Sequence, residues 1–273
     1  MSEVAAHLAH EADIAPAAAL MADHARATML LALLDGRPLA ASELARLAAV
    51  SPPTASAHLA KLLDGGLVTV IRQGRHRYYR LAGHEVAAAI EALSQLGPPA
   101  QVRSLRQSRR AVALAEARTC YDHLAGRAGV ELLDALLREG LLAEAGRADA
   151  RAGPGTGRRQ AEGPVTDVAA ARYRVTRRGT AALAPFGINI DAIRASRRRF
   201  AGPCLDWTQR RPHLGGALAA AITARLFELA WIERGPRPRS VRVTPSGREG
   251  LTATFGWAGG QDRKSTRLNS SHI

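Results

Sequence analysis

Two segments carry the side chains best suited to metal or thiol chemistry: Cys120 with His123, and Cys204 with Asp206 and His213. Thiolate sulfur and imidazole nitrogen at such spacing suit zinc or copper, and Cys120 and His123, three residues apart, would share a helical face. Other readings stay open. The cysteines equally suit a redox or electrophile-sensing thiol, small buried hydrophobes, or the wall of a small-molecule pocket, with the histidines as cap or core hydrogen-bond donors. Neither segment has the paired Cys-x-x-Cys or His-x-x-x-His spacing of a strong zinc signature. A catalytic reading would rest on Cys120 or Cys204 alone. The chain lacks a Gly-x-Ser-x-Gly elbow, a dinucleotide fingerprint and a His-Glu-x-x-His pair, and Gly153–Gly157 lacks the lysine and helix of a phosphate loop. No enzyme is expected.

A second set of residues is short-chained and polar, then basic. Pro53, Thr54, Ser56, Ala57, His58 and Lys61 fall on one face of a periodic segment whose other face carries Ala55, Leu59, Leu62 and Leu63. Small polar side chains can approach base edges, and a basic residue further along can reach a phosphate. The elements that must position them are legible on either side. Ser42 reads as the cap of a helix bearing Leu44, Leu47 and Ala48, and Val50 ends it. Ser51 followed by Pro52 starts the next helix, with Val50 and Ala55 at the positions of a hydrophobic staple. Asp64-Gly65-Gly66 stops it. Leu67–Ile71 then reads as a strand, Arg72–Arg75 as a turn, and His76–Leu81 as the returning strand, an arginine-rich hairpin fit to lie along a sugar-phosphate backbone.

The run SELARLAAVSPPTASAHLAKLLDGGLVTVIRQGRHRYYRL, within about residues 23–96, resembles the winged helix-turn-helix of ArsR-type bacterial transcriptional regulators. The resemblance rests on S-x-x-T-x-S-x-H-L-x-x-L, the G-L-V strand and R-x-G-R-x-x-Y-Y, in that order. It implies that Pro53, Thr54, Ser56, Ala57, His58 and Lys61 lie on a recognition helix over 52–64, and Arg72, Arg75, His76 and Arg77 on a wing over 68–81. Thr54, Ser56 and His58 would read bases, while Lys61, Arg72, Arg75 and Arg77 hold phosphates. It also implies that the helix from about His84 to Leu96, with Val86, Ile90 and Leu93 on one face, pairs with a second copy. The recognition helices would then stand roughly 34 Å apart on an inverted repeat in double-stranded DNA. Metal-sensing members often carry Cys-x-Cys in the helix occupied here by Leu44-Ala45-Arg46-Leu47, so the resemblance gives that metal site no support.

Composition points the same way. The formal net charge is +14 and the sequence pI about 11.2, which favours a polyanionic partner, nucleic acid or an anionic surface. The first residues, MSEVAAHLAHEAD, lack the bases and apolar run of a secretory signal. Gly215–Trp231 is interrupted by Arg225 and Glu228 and is too short to span a bilayer. A cytoplasmic protein with reduced cysteines and no membrane partner is expected.

The length of 273 residues suits about two domains. Gly97-Pro98-Pro99 divides a reading and dimerisation domain, 1–97, from an effector-responsive region, 100–260, whose small effector is unknown and whose cofactor, if any, would be a metal ion. Arg103–Gly126 and Gly129–Leu142 read as helices, and Gly146–Gly163 as a mobile loop. Tyr173-Arg-Val-Thr-Arg-Arg-Gly179 is echoed by Val241-Arg-Val-Thr-Pro-Ser-Gly247, each after a helix with an apolar end. The expected fold is therefore mainly α with small β-hairpin wings: a winged helix-turn-helix, then one or two degenerate winged-helix-like units. Residues 261–273, QDRKSTRLNSSHI, break with the preceding composition and read as a disordered, non-native tail. The function expected is that of a homodimeric repressor. The alternatives are a thiol- or metal-dependent sensor or enzyme acting through Cys120 or Cys204, and a protein that coats DNA without regard to sequence.

Overall fold

The computed structural model describes residues 12–74, 76–97, 104–145, 173–196 and 198–259. The chain divides into two units, Met1–Pro98 and Pro99–Ile273. Arg75, the loop expected over 146–163 and the tail over 261–273 lie outside the described residues.

In the first unit, α1 (Ala15–Ala22) stops at Asp23, whose carboxylate accepts the Arg26 N–H at 2.9 Å and so caps α2 (His24–Leu33). A short β1 (Leu39–Ala40) leads directly into α3 (Ala41–Ala48), with Ala40 at the cap position and Ser42 inside the first turn. The expected serine cap is thus displaced: β1 pairs with a later strand, and that pairing fixes where the helix starts. Ala49, at φ 55°, closes α3 in the left-handed region, and Ser51 starts α4 (Pro52–Asp64) by accepting the Thr54 N–H at 3.3 Å. The tight turn between these helices is the break expected from Val50-Ser51-Pro52. Ala55, Leu59 and Leu62 are buried, while Leu63 is partly exposed.

β2 (Val68–Gln73) and β3 (His76–Leu81) pair antiparallel from Val68↔Leu81 to Gln73↔His76, and β1 adds to β3 through Leu39↔Tyr79. The strands therefore run further than expected, and Arg72 belongs to a strand rather than to the turn. Gly74, at φ +57°, supplies the positive φ that so tight a hairpin demands. α5 (His84–Leu96) follows, burying Ala87 and Ile90 and leaving Leu93 and Leu96 exposed.

The second unit begins with α6 (Leu105–Glu116), an exposed basic helix that ends well before the expected Gly126. In place of its last turns stand β4 (Arg118–Cys120) and β5 (His123–Ala125), a hairpin whose turn holds Tyr121 at φ 59°. The reason is tertiary. Thr119 donates to the Arg239 carbonyl at 2.8 Å and Val241 to the Ala117 carbonyl at 3.0 Å, which holds residues 117–119 extended against a segment far along the chain.

α7 (Gly126–Arg138) starts where the sequence reading ended a helix, and leads into β6 (Leu142–Glu144), β7 (Tyr173–Val175) and α8 (Arg177–Leu183). After the short α9 (Ile190–Arg194) the pattern returns as β8 (Gly202–Leu205), β9 (Pro212–Gly215), α10 (Ala217–Glu228), β10 (Ile232–Arg234), β11 (Val241–Val243) and α11 (Pro245–Phe255). The repeating unit is therefore hairpin, helix, hairpin, helix. The copies interlock: α7 packs on β9 and α10 on β5, and one apolar core including Leu133, Leu136, Leu218, Leu226 and Phe255 runs through both.

The echo noted in the sequence has a structural basis. Thr176 accepts the Gly179 N–H at 2.9 Å and donates to the Gly140 carbonyl at 2.6 Å, while Thr244 accepts the Gly247 N–H at 2.9 Å and donates to the Ala230 carbonyl at 2.8 Å. Each threonine caps one helix and satisfies a carbonyl at the end of the preceding one. A Cβ on Gly179 would fall 2.0 Å from the Leu141 oxygen and one on Gly247 1.9 Å from the Trp231 oxygen, so only glycine fits either place.

Candidate functional site

On α4 the packing that buries Ala55, Leu59 and Leu62 forces the opposite face outward. Pro53, Thr54, Ser56, Ala57 and Lys61 are exposed, so the structure brings five of the six expected helix residues to one open surface. Thr54 is partly engaged, its hydroxyl lying 2.8 Å from that of Ser51. His58 differs. It is half-buried, with Nδ1 3.6 Å from Asp23, within ion-pair reach but too far for a hydrogen bond. The Arg26 backbone N–H holds the Asp23 carboxyl below its usual range, so this neighbour stays anionic.

On the wing, Arg72, His76 and Arg77 are exposed. Arg72 and Arg77 are directly opposed across the hairpin. Like charges so placed repel, and the arrangement is relieved by an anion lying between them. No described carboxylate pairs with Lys61, Arg72 or Arg77. Elsewhere the basic residues are often paired: Arg198 donates to Asp122 at 2.6 Å, and Arg211 reaches both oxygens of Asp134 at 2.9 Å. The wing and α4 thus carry uncompensated positive charge of the kind that a phosphate backbone neutralises.

A second constellation lies in the other unit. Cys120 and His123 are cross-strand partners in β4–β5, and Cys204 and His213 are cross-strand partners in β8–β9. The shared helical face expected for Cys120 and His123 is therefore replaced by a hairpin register, and the same register recurs in the second copy. The interlocking of the copies joins both pairs: one ligand atom from each of the four residues lies within 4.8 Å of every other. The two sulfurs are 3.9 Å apart and not joined in a disulfide, and the imidazole rings stack at 5.1 Å between centroids. Cys120, His123 and His213 are buried, Cys204 less so.

Asp206, from the long turn between β8 and β9, organises the surroundings. It accepts the backbone N–H groups of Gly126 (2.7 Å), Thr208 (2.9 Å) and Gln209 (3.0 Å), and its Oδ2 stands 2.9 Å from Nη2 of the fully buried Arg118. Burial acts to raise its pKa, but Arg118 and these donors hold it at about 2. Asp206 Oδ2 is also 3.8 Å from His213 Nδ1. On the other side, Asp122 Oδ1 lies 3.2 Å from His123 Nδ1. Burial opposes charge on His123, yet the Cys120 sulfur and Asp122 raise its pKa to about 10. Sequence reasoning placed Asp206 in the second cluster but missed Asp122 and Arg118, because their roles depend on pairing between the copies.

Comparison with known proteins supports the same reading of the first unit. A family model described as a helix-turn-helix domain matches residues 21–71, covering α2, α3, α4 and the start of the wing. A Bacillus subtilis protein described as an uncharacterized HTH-type transcriptional regulator, YdfF, is 41% identical over 236 residues, which is 86% of this chain and 94% of that protein. Among solved structures, HlyU from Vibrio cholerae is 31% identical over 35% of this chain and 97% of its own, with a TM-score of 0.28. The homodimeric winged helix-turn-helix DNA-binding domain of Mb0332 from Mycobacterium bovis, a possible ArsR-family regulator, is 34% identical over 35% of this chain and 85% of its own, with a TM-score of 0.29. The match to the Bacillus protein runs through both units, and with the exposed helix face and wing it leads to one assignment: the chain belongs to the HTH-type transcriptional regulators, with a winged helix-turn-helix in its first unit.

Proposed function

We propose that the protein is a homodimeric repressor that binds an inverted repeat in double-stranded DNA, with Thr54, Ser56 and His58 reading base edges and Lys61, Arg72, Arg75 and Arg77 holding phosphates. The observation that carries this reading is the opposed, unpaired Arg72 and Arg77 beside an outward face of short polar side chains on α4. Pro53, Ala57 and His76 complete the contact surface. His58 reaches a base only by leaving Asp23, so its part is smaller than that of Ser56. The second unit serves as the effector-responsive region, and the protein acts in the cytoplasm. The exposed Leu93 and Leu96 on α5 support pairing with a second copy.

The test is a footprint on the DNA upstream of its own gene, followed by binding titrations at several salt concentrations. The operator is expected to be preferred over unrelated DNA by about 10³-fold or more. Lys61→Ala is expected to weaken binding to all sequences alike and to reduce the salt slope by about one, whereas Ser56→Ala alters preference at one position. Equal, sequence-independent losses from both variants, with no protected site, would point instead to a protein that coats DNA indifferently.

A further inference from the structure

We propose that Cys120, His123, Cys204 and His213 form a closed tetrahedral site for a single zinc-type divalent cation, bound across the two copies of the internal repeat. This goes beyond the DNA-reading function and does not depend on it. Each copy contributes one cysteine and one histidine from equivalent cross-strand positions, so neither copy alone supplies a full ligand set.

Four observations carry the assignment. The ligand atoms are already gathered within 4.8 Å of one another in a buried place. The sulfur separation of 3.9 Å matches the edge of about 3.8 Å that zinc–sulfur bonds of about 2.3 Å make at a tetrahedral angle, and it is far from the 2.05 Å or so of a disulfide. His123 Nε2 and both ring nitrogens of His213 are buried without a hydrogen-bond partner, an arrangement that costs free energy unless something else satisfies them. Finally, Asp122 lies 3.2 Å from His123 Nδ1 and Asp206 3.8 Å from His213 Nδ1, which leaves the Nε2 atom of each ring as the one with no carboxylate beside it. For His123 this is the carboxylate–histidine–metal arrangement by which an outer group orients a ligand, while Asp206 is too far from His213 for a hydrogen bond and acts there as a nearby negative charge. Gly215 keeps the space open, since a Cβ there would lie 3.0 Å from Cys204 Cβ and 3.7 Å from His123 Nε2.

The charges also balance. On binding, both sulfurs enter as thiolates and both histidines as neutral imidazoles, the protons they carry passing to solvent, and this ligand set cancels the charge of a divalent ion. With four protein ligands no coordination position is left for substrate, which fits a brace between the copies.

The test uses the tag-free full-length protein. Metal analysis is expected to find one zinc per chain. X-ray absorption at the zinc edge is expected to show two sulfurs at about 2.3 Å and two nitrogens at about 2.0–2.1 Å. Cobalt(II) added to the chelated protein should give the strong ligand-field absorption of a four-coordinate thiolate site at one equivalent, and C204S and H213Q should lose it. A weak octahedral spectrum, a zinc shell of nitrogen and oxygen only, or binding unchanged in C204S and H213Q would overturn the proposal. So would a metal-free protein as isolated whose two thiols titrate only after reduction, which would assign the cysteines to a disulfide. Because zinc absorption and cobalt spectra are read on the unmutated chain, a variant that fails to fold does not remove the test.

Discussion

Asp206 shows how much a single carboxylate can be asked to do in this fold. It is fully buried, it neutralises an equally buried Arg118, and it accepts three backbone N–H groups from two different segments. Arg118 in turn lies 4.8 Å from the centre of the Trp207 ring. Taking one partner from a buried pair leaves the other charged in a medium that solvates it poorly, and the cost is several times that of losing an exposed pair. Asp206→Asn is therefore expected to destabilise the second unit by about 3–5 kcal/mol, whereas the exposed pair Arg242–Glu233 should contribute less than about 1 kcal/mol. The chain's tryptophans, Trp207, Trp231 and Trp257, all belong to the second unit, so the denaturant midpoint read by tryptophan fluorescence reports its unfolding. A midpoint for Asp206→Asn equal to that of the parent chain would show that the Arg118 charge is satisfied by other groups.

At the scale of elements, the two copies of the repeat make a symmetric prediction. Thr176 and Thr244 play the same part in each, accepting one helix-capping N–H and donating to one helix-ending carbonyl. Replacing either by valine keeps the shape, removes both bonds, and is expected to cost about 1–2 kcal/mol, with serine restoring most of it. Similar shifts in the fluorescence midpoint for the two valine variants are the expected result; a shift at one site alone would mean that the copies differ in how far they hold the unit together. The same elements show what the sequence makes legible. The helix-turn-helix and wing can be read because their signals are local: the Ser51-Pro52 start, the Gly65-Gly66 stop and the apolar spacing of Ala55, Leu59 and Leu62 act within a few residues. The R-V-T-x-x-G echo is legible for the same reason, being cap chemistry. The β4–β5 hairpin is not, because Arg118 and Thr119 have no local reason to leave a helix; their partners are Asp206 and the Arg239 carbonyl. Hence the individual Cys and His candidates could be picked out, but not their gathering into one cluster, which depends on strand register in two hairpins and on the interlocking of the copies. The longer connection between β6 and β7 than between β10 and β11 further disguised how much of the second half repeats.

For the whole molecule, the decisive quantity is how many reading heads engage DNA at once. One α4 and one wing offer few phosphate contacts, and a single half-site gives limited affinity. Joining two heads makes the second contact intramolecular, a gain on the order of 10²–10⁴-fold when the spacing matches. In the proposed dimer that gain depends on α5, whose inner face is fixed by Ala87 and Ile90 while Leu93 is 49% and Leu96 83% exposed. Two leucines left in water at the end of one helix cost hydrophobic free energy that a second copy would recover, at roughly 25 cal/mol per Å² of apolar surface covered. The double variant Leu93→Glu, Leu96→Glu sets like charges against each other across that contact without touching the buried face. It is expected to sediment as a monomer, to lose affinity for the inverted repeat on the order of 10²–10⁴-fold, and to bind a lone half-site as the parent chain does. Its tryptophan-detected unfolding should be unchanged, since the substitutions lie in the first unit and the tryptophans in the second. A variant that remains dimeric with full operator affinity would move the dimer contact away from α5, while leaving the assignment of α4 and the wing as the reading surface intact.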